Sequence, residues 1–226
     1  LKEKFRLALT STAKVISDDF ELINKTSEEK NKYLNSIEIN DLTNPSDFIK
    51  LRAETDSSAL KKKFSDDKIY RKNLPLNNSS RSLYNIAEKI RYEVLGGKML
   101  KGIEKNFQEN YSHIINSKRK DQLKTKEDVP VTEAFELYML KNFHEINLSP
   151  LTTKILNFWE HDFDQSVGKH KKFLQDNLED QNNYSSRFSQ ILNEMDIFQN
   201  DENDEKREEN QDQGQDNPSN DDQDKD

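Results

Sequence analysis

From Leu83 to Ile114 the apolar residues recur at three- and four-residue steps: Leu83, Ile86, Ala87, Ile90, Val94, Met99, Ile103, Phe107, Tyr111 and Ile114. That spacing draws one stripe along a helix, and a strand pattern cannot imitate it. The chain as a whole is 31% apolar, against roughly 45–50% for an average soluble domain in a count that also includes Gly. Such a chain has enough apolar surface for a narrow helical core but not for a broad layered one. Five Gly and five Pro among 226 residues also argue against a turn-dense sandwich or barrel. The expectation is a mostly α bundle of five or six helices, one of them long. Gly96-Gly97 sits inside the long pattern and marks either a kink or a close approach of another backbone.

Shorter patterns fill in the rest. Residues 3–16 read as a short helix through Phe5, Leu9, Val15 and Ile16. Phe20, Leu22 and Ile23, then Ile37 and Ile39, alternate in a way that fits a small two-stranded ribbon, so residues 1–45 are expected to form a small α+β appendage. Thr43-Asn44-Pro45-Ser46-Asp47 is a helix-start cluster. The helix it opens is expected to run to Phe64, with Phe48, Leu51, Thr55, Ala59 and Leu60 inward. Pro130 suits the first turn of a helix through Val131, Ala134, Phe135 and Tyr138. Ser149-Pro150 opens another, carrying Leu151, Ile155, Leu156, Phe158, Trp159 and Phe163. A last pattern runs from Phe173 to Met195.

Charge divides the chain at residue 200. Residues 1–200 carry 32 Lys/Arg against 31 Asp/Glu, whereas residues 201–226 carry 3 against 12 and contain no aliphatic or aromatic side chain. A segment without apolar surface cannot offset the entropy of ordering itself, so 201–226 is expected to be a disordered acidic linker. The longest unbroken apolar run is four residues, Leu137 to Leu140, too short to span a bilayer. With no Cys there are no disulfides, thiolate metal sites or cysteine nucleophiles, which fits a cytoplasmic protein.

The chemistry-bearing patterns are mostly missing. There is no GxxxxGK[ST] or GxGxxG loop to cradle a phosphate. His113, His144, His161 and His170 never fall three or four apart, so no helix face carries a histidine metal pair. His161-Asp162-Phe163-Asp164 reads as a solvated helix edge, and Trp159 reads as core. Lys61-Lys62-Lys63 with Lys68, Arg71 and Lys72 reads as a solvated basic face. Nucleic-acid binding would want a net positive domain, and docking of an acidic partner or of the chain's own tail comes second to solvation. From the residues themselves we expect no catalytic, cofactor-binding or metal-ligating residue, and no nucleic-acid or membrane partner.

Four segments in order nevertheless resemble one family. Ser82–Phe107, "SLYNIAEKIRYEVLGGKMLKGIEKNF", resembles a segment of the CobT-type subunit of aerobic cobaltochelatase, with Tyr84, Ala87, Glu88, Arg91, Glu93, Gly96, Gly102 and Asn106 in register. Upstream, "LRAETDSSALKKKFSDD" is similar to the family's "RGxADSxALRLACHD" through Asp56, Ser57, Ala59, Leu60 and Asp67. Leu148–Glu160 is similar to a stretch with Pro near its start and Trp at its end, and Leu178–Leu192 is similar to "LEDQxxFaxxxrxxL". The family's His in "ACHD" is replaced near Ser65, and its "WRPW" reads Trp159-Glu160-His161-Asp162.

The resemblance covers about residues 1–200 and implies a helical N-terminal domain followed by an acidic linker. It also implies a von Willebrand A-type domain beyond Asp226. By the same resemblance, the function is that of a non-ATPase subunit of a ligase forming a nitrogen–metal bond. That complex inserts Co2+ into hydrogenobyrinic acid a,c-diamide during cobalamin biosynthesis. The implied partners are an AAA+ ATPase subunit and a large tetrapyrrole-binding subunit in a ring-shaped oligomer, using ATP, Mg2+ and Co2+. The alternative is an unrelated helical adaptor or chaperone-like protein with an acidic tail.

Overall fold

The computed structural model describes residues 2–18, 44–117 and 125–195. They form ten α-helices and no strand among the described residues. The proposed ribbon between Phe20 and Ile39, and the acidic segment 201–226, lie outside the described residues. The first helix, α1 (Lys2–Ser17), packs along α2 (Pro45–Phe64). Leu9, Ala13 and Ile16 of α1 face inward, but Val15, expected in the core, is exposed.

The start of α2 follows its sequence signal. Pro45 occupies the first turn, and the Asn44 backbone N–H donates to the Asp47 carboxylate at 3.3 Å. The predicted end at Phe64 is also found. A short helix that the periodicity did not announce, α3 (Asp67–Lys72), follows at once. Its cap is Asp66, whose carboxylate accepts from the N–H groups of Lys68 and Ile69 at 2.7 and 3.3 Å.

The long periodic segment is two helices, α4 (Asn78–Met99) and α5 (Lys101–Ser117), joined at the extended residue Leu100. Continuous helix would hold Glu93 and Tyr111 about 27 Å apart along the axis. Instead the Tyr111 hydroxyl donates to Glu93 at 2.6 Å, so α5 folds back along α4. A single straight helix could bury only one stripe, whereas the folded pair buries the Ile103, Phe107 and Tyr111 face against α4.

The break therefore falls at Leu100, beyond Gly96-Gly97, and both glycines lie within α4. They serve close packing. A Cβ on Gly96 would stand 2.3 Å from Leu60 Cδ1 of α2, and one on Gly97 would stand 3.3 Å from Glu104 Cβ of α5.

Helix α4 is the axis of the bundle. It packs against α2, α5, α6 (Val131–Phe143) and α10 (Gln181–Glu194), and twelve of its residues are buried. The remaining layer is α7 (Pro150–Asn157), α8 (Glu160–Ser166) and α9 (Lys171–Asp176). The sequence pattern expected α7 and α8 as one helix, and likewise α9 and α10. The first pair separates at Phe158-Trp159, where the Trp159 indole N–H donates to the Val129 carbonyl at 3.1 Å. The second separates at residues 177–180, whose backbone and Asp180 side chain are used elsewhere: Leu178 O accepts from Arg91, and Asp180 caps α10 through Asn183 N–H at 3.0 Å. No helix among the described residues is long and apolar enough to cross a membrane.

Candidate functional site

A helix buried on several sides would ordinarily be apolar, yet α4 carries Glu88, Arg91 and Glu93 into the interior. Burying these charges is tolerated only where bonds replace water. Glu88 and Arg91 form one cluster, and Glu93 belongs to another.

Arg91 is fully buried. Its Nε donates to Glu88 Oε2 at 3.3 Å and Nη1 to the Leu178 carbonyl at 3.1 Å. Nη2 donates to the Phe64 carbonyl at 2.7 Å and to Ser65 Oγ at 3.3 Å. Glu88 also accepts from Ser185 Oγ at 2.6 Å and from Gln181 Nε2 at 3.3 Å. Gln181 then accepts from the Asp66 N–H at 2.6 Å. One ion pair thus ties the end of α2, the start of α3 and the start of α10 to the central helix. The planar guanidinium fork suits such multidirectional anchoring. Ser65 is one of its acceptors.

A second cluster joins α2 to α5. Asn106 Nδ2 donates to Asp56 Oδ2 at 2.7 Å, and Arg52 Nη2 donates to Asn106 Oδ1 at 2.6 Å. Burial raises the Asp56 carboxyl above its ordinary range, against the opposing effects of the Asn106 bond and the Arg52 charge.

The third cluster borders open space. Glu93 Oε1 accepts from Ser57 Oγ at 2.6 Å, and Oε2 accepts from the Tyr111 hydroxyl at 2.6 Å. His144, at the C-terminal cap of α6, places Nε2 3.6 Å from the same oxygen and makes no hydrogen bond with it. Burial first, then the Glu93 charge, push the Tyr111 phenol well above its usual value, so it stays a donor. Beside this carboxylate is a cavity of about 390 Å³ lined by Ser57, Glu93, Phe107, Asn110 and Tyr111, with Glu54 and Lys89 among its bordering residues. This is where a buried charged group and a cavity coincide.

The sequence segments therefore converge. Tyr84, Ala87, Glu88, Arg91, Glu93 and Gly96 are buried on α4, Asp56 and Ser57 come from α2, and Asn106 from α5; Gly102 alone of that set stands open, with nothing near its would-be Cβ. Sequence reasoning missed His144 and Tyr111 as partners of Glu93. His144 lies 51 positions along the chain from Glu93, and no local spacing relates them.

The other histidines are dispersed. His161 contacts Gln165, and its neighbours Asp162 and Asp164 take Lys126 at 2.7 Å and the Tyr138 hydroxyl at 2.9 Å. Trp159 packs on the core as expected, with Lys126 Nζ 4.1 Å from its ring centre. Lys61, Lys62, Lys68, Arg71 and Lys72 are exposed. Among the described residues no three His, Asp or Glu side chains are grouped to hold a metal ion.

Taken together, the described residues define an all-α body in which buried charges hold helices in register. The family model for "Cobalamin biosynthesis protein CobT" matches residues 2–226, and the chain belongs to that family. Its role accordingly lies in cobalamin biosynthesis. No curated protein and no solved structure matches the chain.

Proposed function

We propose that this chain is the non-ATPase subunit of an aerobic cobaltochelatase, assembling with an AAA+ ATPase subunit and a large tetrapyrrole-binding subunit in a ring-shaped complex. The complex inserts Co2+, its metal substrate, into hydrogenobyrinic acid a,c-diamide, using ATP and Mg2+ held by the partners. The family match over residues 2–226 carries this reading. Two features support the division of labour. The sequence has no phosphate-binding loop, so ATP hydrolysis falls to the AAA+ subunit. The buried charged side chains of α4 are engaged by hydrogen bonds within the bundle, which suits a body that presents surfaces for assembly. The acidic segment 201–226 acts as a tether that raises the effective concentration of whatever it joins.

Co-purification tests this reading. The 226-residue chain, mixed with the AAA+ subunit and ATP, is expected to elute as one larger species in size-exclusion chromatography. Separate elution at every nucleotide state would leave the adaptor alternative in its place.

A further inference from the structure

The bonds around Glu93 leave its charge unbalanced. Ser57 and Tyr111 donate neutral hydrogen bonds, one to each oxygen, which uses two of the roughly four lone-pair sites of a carboxylate. Compare Glu88, which has the Arg91 guanidinium on it at 3.3 Å. Among the described residues no Lys or Arg is bonded to Glu93. His144 stands off at 3.6 Å without a hydrogen bond, and Lys89 is turned elsewhere, 4.0 Å from Glu136 and 5.5 Å from the centre of the Tyr111 ring. A buried carboxylate held only by neutral donors is costly, and a cationic ligand reduces that cost.

The cavity beside it has the matching form. Its 390 Å³ lies within the range of roughly 300–1,000 Å³ typical of small-ligand pockets. Phe107, Tyr111 and Asn110 are among its lining residues. The charged residues bordering it are Glu54, Glu93 and Lys89, a net negative set. Aromatic faces attract cations through the ring quadrupole, and more strongly once desolvated. An anion would meet the Glu93 carboxylate, and a ligand without a donor would leave its remaining lone pairs without a partner.

We propose that the cavity between α2, α4 and α5 is a receptor for an alkylammonium or alkylguanidinium head group, which bonds Glu93 and lies against Phe107 and Tyr111. The proposal stands on this cavity alone and is independent of the chelatase reading. Two sources present that chemistry: the Lys or Arg side chain of a partner protein, and a free small amine.

Amide NMR titrations of the 226-residue chain with n-butylammonium, n-butylguanidinium and butyrate test it. The two cations are expected to bind saturably at millimolar concentration and to move the resonances of Ser57, Glu93, Asn110 and Tyr111, whereas butyrate does not. Glu93→Gln is expected to weaken binding by about tenfold or more. Glu54→Gln, whose side chain at the rim is exposed enough to leave the fold intact, is expected to weaken it by a few-fold. N-acetyl-lysine amide and N-acetyl-arginine amide binding better than putrescine assigns the source to a protein side chain; the reverse order assigns it to a free amine. No shift with either cation, equal binding of butyrate, or cation binding unaltered in both variants overturns the proposal.

Discussion

At Arg91 one side chain makes four hydrogen bonds, three of which reach segments outside α4: the Leu178 carbonyl, the Phe64 carbonyl and Ser65 Oγ. Removing it leaves Glu88 buried with Ser185 and Gln181 as its donors and no cation. Arg91→Ala is therefore expected to cost about 3–5 kcal/mol, the usual penalty for stranding one partner of a buried pair. Arg91→Lys should recover little of that, because one ammonium cannot reach Glu88, Leu178 O and Phe64 O together. Urea unfolding at constant m-value measures both; a midpoint within error of wild type for either variant would contradict the anchoring role. The charges themselves were visible in the sequence as members of a resembling segment, but their burial was not. Glu88, Arg91 and Glu93 sit among apolar residues at helical spacing, and a periodicity argument assigns charged positions to solvent. What reversed the assignment is the number of neighbours around α4, a property of the assembled bundle.

Among the helices, the two glycines flanking the α4–α5 turn separate packing from propensity. Gly96→Ala places a methyl 2.3 Å from a terminal carbon of Leu60, and crowding of this kind costs about 1–3 kcal/mol. Gly102 lies near the start of α5 with nothing within 4 Å of a Cβ, so Gly102→Ala is expected to stabilise by up to about 1 kcal/mol. Thermal unfolding should move the two variants in opposite directions, and a shift of the same sign in both would refute the packing account.

Helix existence followed from apolar spacing, and the starts at Pro45 and Ser149-Pro150 followed from their caps. Breaks were the poorly legible part. Leu100, Phe158-Trp159 and residues 177–180 carry no proline or glycine pair, and each interruption is imposed by a tertiary demand: a fold-back, an indole bond to Val129, and carbonyls and caps claimed by other helices. Gly96-Gly97 showed the converse, a strong breaker signal retained inside a helix because other helices need the space.

On the scale of the molecule, five tyrosines anchor the core: Tyr84, Tyr92, Tyr111, Tyr138 and Tyr184. Burial pushes the phenol of Tyr92 up to about 12 and raises the other four as well. Their contribution to stability is fully present below pH 10, where the phenols are protonated both folded and unfolded. Above pH 10 the unfolded chain releases those protons while the folded one retains them, and stability falls by about 1.4 kcal/mol per pH unit for each tyrosine. Five such groups overwhelm a typical domain stability of roughly 5–15 kcal/mol within one to two pH units. Helical circular dichroism and the phenolate absorbance of these five tyrosines are expected to change together above pH 10; more than two of the seven tyrosines ionising near pH 10 with helicity retained would contradict the buried placement.

The larger claim concerns who performs the chemistry. In the function proposed above, this chain supplies shape, with the buried charges of α4 holding helices, while nucleotide turnover and tetrapyrrole binding are assigned to other subunits. A cobalt-insertion assay with hydrogenobyrinic acid a,c-diamide, ATP, Mg2+ and Co2+, omitting one component at a time, addresses it directly. The expected result is corrin metallation only when this subunit, in its complete natural form, is present with the AAA+ and tetrapyrrole-binding subunits, and no ATP hydrolysis by this chain alone. ATP turnover by the isolated chain, or undiminished metallation in its absence, would contradict the account.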